Sequence, residues 1–215
     1  MKTDQLVDVL VADLKPVRKR SVAGDVRILA FLLAIEFGLY WLLGSGHGHI
    51  AEATASMPSF LWKLGSLALL AAVSVVVALR SLDPARPPHR GLGVIAALVA
   101  MILLVGWMVD ATTAHTARPF WQRLAITDGL DCVRSIVLLA IPPIAALGWL
   151  MRRAAPTDLR GSALSIGIAS AALGALLFVI ACPHGDPLYV MIWFMLASLI
   201  VALTARLALP LINRW

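Results

Sequence analysis

The sequence predicts an all-α membrane protein: six transmembrane helices in an antiparallel bundle, preceded by a short cytoplasmic N-terminal amphipathic helix. Three observations carry that prediction. The chain is 60% hydrophobic and only 14% charged, with a mean hydropathy of +0.89, whereas soluble domains carry roughly a quarter charged residues. Its apolar residues fall in long runs, not in short amphipathic stripes. Its basic residues gather on one side of those runs.

An apolar stretch of about 20 residues crosses a bilayer as a helix, because hydrocarbon offers backbone N–H and C=O groups no other partners. In chain order the qualifying runs are 26–43, 60–79, 92–109, 132–150, 162–181 and 188–209. Tyr40, Trp41, Trp62, Trp107, Trp121, Trp149 and Trp215 lie near their ends, where amphipathic rings suit the interface. Pro142-Pro143 falls inside the fourth run, where two missing N–H donors predict a kink. The fifth run places small residues at Gly167, Ala171 and Ala175, and again at Ser170 and Gly174. That spacing lets two helix backbones approach closely.

Orientation follows from Lys and Arg. The N-terminus, the second and fourth connections and the C-terminus hold fourteen of the basic residues, against four (Lys63, Arg118, Arg123, Arg134) on the other side. Positive charge stays inside, so both termini are expected in the cytoplasm of a bacterial inner membrane, and the even number of runs agrees. The net charge of +6 and pI near 10.0 then reflect topology, and no direct nucleic acid binding is expected. Residues 1–24 hold three aspartates and no apolar core with a small-residue cleavage site, so no signal peptide is expected. The organisation is a cytoplasmic segment, 1–24, that seeks a partner surface, and one transmembrane domain, 25–215, in contact with the lipid bilayer.

Within the segment, residues 4–15 read as an amphipathic helix. Leu6, Val7, Leu10, Val11 and Leu14 share one face at 100° per residue, with Asp4, Asp8 and Lys15 opposite. Pro16 ends it. A helix this short is marginal in water, so its apolar face needs a surface. The membrane, the bundle's cytoplasmic end and a groove on a soluble partner are the three available.

Two cysteines, Cys132 and Cys182, open the fourth run and follow the fifth, which places both at the periplasmic boundary. Thiols at similar depth on neighbouring helices can form a disulfide, bind a thiophilic metal, or simply fill space as small buried residues. His184 follows Cys182 by two positions in Cys182-Pro183-His184-Gly185-Asp186, and His47, His49 and His115 fall on the same side. Cys132, Cys182 and His184 thus make a candidate metal ligand set. Glu36 lies within the first run, where a charge is costly and functional by default. Asp131 and Arg134 are spaced to pair across one turn. No GxSxG, HExxH, P-loop or GxGxxG occurs, so no enzyme and no required cofactor are expected. A membrane thiol oxidoreductase and a small metal transporter are the rival classes.

Two stretches resemble a known family. The first is the opening Met1-Lys2-Thr3-Asp4 with Leu6, Leu10, Asp13 and Pro16-Val17. The second runs from Asp131 to Trp215 through Cys132, Pro142, Arg152-Arg153, Ala155-Pro156, Cys182-Pro183, Asp186-Pro187-Leu188, Trp193 and Arg214-Trp215. Together they cover about half the chain and are similar, in order, to the landmarks of the NrsF-type inner-membrane anti-sigma factors. These are negative regulators of extracytoplasmic-function sigma factors. The family often carries His before the second cysteine, where this chain has Ala181. The resemblance implies a sigma factor partner held by Asp4, Leu6, Val7, Asp8, Leu10, Val11, Asp13 and Leu14. It further implies that Cys132 and Cys182 sense heavy-metal or oxidative stress, with only transient binding of a thiophilic metal ion.

Overall fold

The computed structural model describes residue 11 and residues 22–42, 57–84, 87–112, 119–154, 156–182 and 184–213. Every element among them is helical: α1 (Val22–Leu42), α2 (Met57–Ser81), α3 (His89–Ala111), α4 (Phe120–Leu124), α5 (Ile126–Ala154), α6 (Leu159–Phe178) and α7 (Pro187–Ile212). Leu- and Ala-rich runs favour helix intrinsically, and an apolar surrounding leaves their backbone groups no alternative.

Helix ends are set by local chemistry. The Asp158 carboxylate accepts from the Gly161 amide at 2.9 Å and opens α6. Asp186 accepts from the Leu188 amide at 3.0 Å, with Pro187 in the first turn, and opens α7. Between α4 and α5, Ala125 adopts a left-handed backbone with φ of 38°, which costs an alanine roughly 1–2 kcal/mol. Its neighbours hold it there: Trp193 Nε1 donates to the Leu124 carbonyl at 2.8 Å, and the Gly129 amide donates to the Ala125 carbonyl at 2.9 Å.

Five stretches are long and apolar enough to cross a membrane: Ser59–Ser81, His89–Ala111, Phe120–Ala154, Leu159–Phe178 and Pro187–Ile212. Helix α1 covers most of the first expected run but holds Asp25, Arg27 and Glu36 within its length, and it is not among those five. The α5 helix runs unbroken through Pro142-Pro143 and exceeds its expected bounds at both ends. The expected helix at 4–15 lies outside the described residues apart from Val11, which is helical and exposed.

Helix α6 is the centre, in contact with α2, α5 and α7. Its most apolar window is 72% buried inside the protein, against 11% for α3. The small residues of α6 explain that position. A Cβ on Gly167 would stand 2.8 Å from the Ala202 Cα of α7, and one on Gly174 would stand 2.9 Å from the Ala140 nitrogen of α5. Lipid tails are as apolar as leucine, so helices associate here through close packing. The contacts also fix direction. Ser81, ending α2, meets Ser162 and Ser165 at the start of α6, while Lys63, near the start of α2, meets Cys182 beyond the end of α6. The two helices are therefore antiparallel.

A buried thiol pair as candidate functional site

Beyond α6 the backbone winds down through turns: the Cys182 amide donates to the Phe178 carbonyl at 3.1 Å. The chain then passes through His184 to Asp186, the cap of α7. This short return holds Cys182 against Cys132, which lies in the second turn of α5. Both thiols are free and buried, at 4% exposure for Cys132 and 1% for Cys182. Tyr189 of α7 is fully buried beside them, with its hydroxyl 3.0 Å from the Cys132 sulfur.

Four further side chains surround the pair. The His184 ring stacks on Tyr189 at 4.2 Å between centroids and 14° between planes. Its Nε2 lies 3.4 Å from Asp128 Oδ2. Lys63, only 3% exposed, donates from Nζ to the carbonyls of Cys182 and His184, each at 3.2 Å. Arg123, just outside, donates to both Asp186 oxygens at 2.8 and 2.7 Å and pairs with Asp110. That network fixes the loop from which Cys182 and His184 project.

The surroundings favour charge separation between Cys182 and His184. The Cys182 thiol is held below its ordinary range, first by the Cys132 thiol acting as donor, against desolvation, and then by His184 and the Lys63 charge. The His184 imidazole is pushed up, first by the Cys182 sulfur and further by Asp128, against desolvation and the Lys63 charge. A thiol whose surroundings favour the thiolate is the more reactive form of sulfur.

The structure thus brings Cys132, Cys182 and His184 together at one end of the bundle. Among the described residues, however, no group of three or more His, Cys, Asp and Glu side chains is arranged to hold a metal ion. Asp4, Leu6, Val7, Asp8, Leu10, Asp13 and Leu14 lie outside the described residues, as do His47, His49 and His115. Glu36 has both carboxyl oxygens shielded, with no hydrogen-bond partner among the described residues. The expected Asp131–Arg134 pair does not form: the described ion pairs involve other residues, and both side chains are exposed, where water competes.

Sequence reasoning missed Lys63, Asp128, Arg123 and Tyr189 as parts of this site. Lys63 carried a usable signal, since a lone cation inside an apolar run is a functional candidate by default. The other three are ordinary interfacial residues in the sequence, and only the fold brings them to the thiols.

Comparison with known proteins places the chain in a family. Residues 10–215 match the family described as NrsF, negative regulator of sigma F. A "Probable anti-sigma-F factor NrsF" of Azospira oryzae is 29% identical over 223 residues, covering 100% of both chains. The "Anti-sigma-F factor NrsF" of Caulobacter vibrioides is 27% identical over 222 residues, again covering 100% of both. No solved structure matches the chain. With nearly its whole length matched by that family, this chain belongs to the NrsF negative regulators of sigma F.

Proposed function

We propose that this protein is a six-span inner-membrane anti-sigma factor with both termini in the cytoplasm. It holds an extracytoplasmic-function sigma factor through its N-terminal segment and releases it when Cys132 and Cys182 react. In this reading Leu6, Val7, Leu10, Val11 and Leu14 form the apolar docking face. Asp4, Asp8 and Asp13 meet the basic surfaces a sigma factor needs for DNA phosphates. The protein acts as a regulator and not as an enzyme. Helix α1 is the first span and carries the segment into the bundle.

The observation that supports the sensor half is the buried thiol pair with its lowered Cys182 pKa. With a peroxide as oxidant, the Cys182 thiolate attacks one peroxide oxygen, the O–O bond breaks, hydroxide leaves, and Cys182 becomes a sulfenic acid. The Cys132 sulfur then displaces that hydroxyl as water, giving a disulfide between α5 and the α6–α7 loop. A thiophilic metal ion bound transiently between the two sulfurs would remove their protons and bring the same elements together. Either event alters packing around α6, whose most apolar window is the most deeply buried of the spans.

Two measurements test the halves separately. Co-expressed sigma factor should be captured by the full-length protein in detergent and lost with Leu6→Asp/Leu10→Asp; no capture by the wild type refutes the anti-sigma reading. A Cys132→Ser/Cys182→Ser strain should still repress its sigma factor yet fail to respond to metal or peroxide. Intact induction in that strain refutes the sensor.

A further inference from the structure

We propose that a groove between α2 and α3 binds one anionic phospholipid. Arg80 and Arg90 hold the headgroup phosphate, and an acyl chain lies along the valines beside them. The inference rests on the reading of α2 and α3 as membrane spans and is independent of the sigma factor and thiol readings.

The groove has a volume of about 720 Å³ and opens at the end of the bundle opposite the thiols. Local sequence makes it. Val73, Val76 and Val77 on α2 and Val94 on α3 line it with short side chains, and Gly91 adds none. A Cβ on Gly91 would stand 2.5 Å from Val77 Cγ1, so the helices touch closely there and the space lies beside that contact. Val76 and Val94 are 46% and 57% exposed, an apolar surface that suits lipid chains.

The polar end of the groove carries charge of one sign. Arg80 is the penultimate residue of the span Ser59–Ser81, and Arg90 is the second of His89–Ala111. Both guanidinium groups therefore sit at headgroup depth. Neither forms an ion pair among the described residues, and no carboxylate is among the described residues that line the groove. Asp83 lines the adjoining cavity between α1, α2 and α6 instead.

Two cations above an apolar trough match the two halves of an anionic phospholipid. Guanidinium forks pair with phosphate oxygens, and basic pockets between spans recruit anionic headgroups. A soluble anion would use the arginines and leave the trough empty. A second copy packed through the same face would set its own Arg80 and Arg90 against these. Arg80 also lines the adjoining cavity with Val22 and Val26 of α1. The bound headgroup thus lies beside the point where the N-terminal segment enters the bundle.

The test is native mass spectrometry of the full-length protein in detergent, titrated with dioleoyl phosphatidylglycerol or dioleoyl phosphatidylcholine. Wild type should take up one phosphatidylglycerol roughly tenfold more tightly than phosphatidylcholine. Arg80→Gln/Arg90→Gln should weaken phosphatidylglycerol uptake roughly tenfold. Val94→Trp fills the trough from an exposed position, keeps both arginines, and should weaken uptake to a similar extent. Arg27→Gln/Arg152→Gln removes the same charge from exposed residues outside the groove and should change uptake by less than about twofold.

Equal uptake of both lipids by wild type overturns the inference, and it needs no variant to do so. A control pair that weakens uptake as much as the groove pair overturns it, because the attraction is then diffuse. Unchanged uptake by Val94→Trp overturns it as well. So does a wild-type dimer that takes up no lipid and dissociates in Val94→Trp, which would make a second copy the occupant. Circular dichroism of each variant checks its helix content. Alkaline carbonate washing of membranes scores the span reading separately: release of the protein refutes the spans, whereas retention with no selective uptake refutes the lipid site alone.

Discussion

The two ends of helix α6 are both polar and both buried, yet they are built for opposite purposes. At the start of α6, Ser162 donates to the Ser81 carbonyl at 2.9 Å, Ser81 and Ser165 share a hydrogen bond of 2.9 Å, and Ser165 also donates to the Ser162 carbonyl at 2.8 Å. Every group in that knot is neutral, and none changes state between pH 4 and 10 or meets an oxidant. Beyond the far end lie Cys182, His184 and Lys63, whose arrangement depends on protons and on the oxidation state of sulfur. Hydroxyls satisfy one another and make a fixed joint, whereas thiols and ions make one that can be reset. Under the proposed sensor reading, a helix pinned at one end and chemically adjustable at the other would convert a change at the thiols into a change of pose.

The largest expected effect comes from breaking the frame of the adjustable end. Arg123→Ala removes the cation that pairs with both Asp110 and Asp186. A loss of about 3–5 kcal/mol is expected, visible as a fall in thermal midpoint in detergent; an unchanged midpoint would show that the loop does not depend on that ion pair. Next comes the middle of α6. Gly174→Val puts its Cβ against backbone of α5, at 2.9 Å from both the Ala140 nitrogen and the Ile136 carbonyl oxygen. Overpacking of this kind costs about 1–3 kcal/mol, and a variant as stable as wild type would mean that α5 and α6 separate easily.

Smaller still is the fixed joint. Ser165→Ala should cost about 1 kcal/mol, the net worth of a typical hydrogen bond, with no change in response to pH or oxidant. The subtlest prediction sharpens the contrast between the ends. A lowered Cys182 pKa stabilises the fold above the unfolded thiol value and loses that contribution as pH falls through the folded value. A raised His184 pKa does the reverse: its contribution is complete below the unfolded value of about 6.5 and disappears as pH rises through the folded one. From about pH 6.5 upward the two slopes oppose each other, whereas below it the thiolate slope acts alone. The wild-type thermal midpoint should therefore rise between pH 5 and 6.5 and then flatten. Cys182→Ser should lose the rise; an equal rise in both proteins would assign it to another group.

Legibility differed in the same way between the two ends. The fifth run with its Gly167 and Gly174 spacing announced a closely packed helix, and that is what α6 is. Cys132 and Cys182 were visible as a pair because short connections make consecutive helices neighbours. The Asp131–Arg134 pair failed because spacing on one helix says nothing about competition from solvent. Lys63 was counted as a charge for topology, although its isolation among apolar residues already set it apart. Asp128, Arg123 and Tyr189 carried no signal, since their roles depend on which loop lies over which helix.

By itself, the sequence determined the helical class, the placement of the thiols at one end and the family. These follow from runs of apolar residues, from caps such as Asp158 and Asp186, and from motif order, all of which are local along the chain. The tertiary structure alone decided that α6 is the buried centre, that Lys63 meets the Cys182–His184 turn, and that Tyr189 and Asp128 complete the thiol site. The physical reason is range. Helix formation is fixed by neighbours three and four residues apart, whereas the acid–base character of a buried thiol is set by charges and donors more than a hundred residues away in the chain, such as Lys63, which only folding brings within about 3 Å of its acceptors.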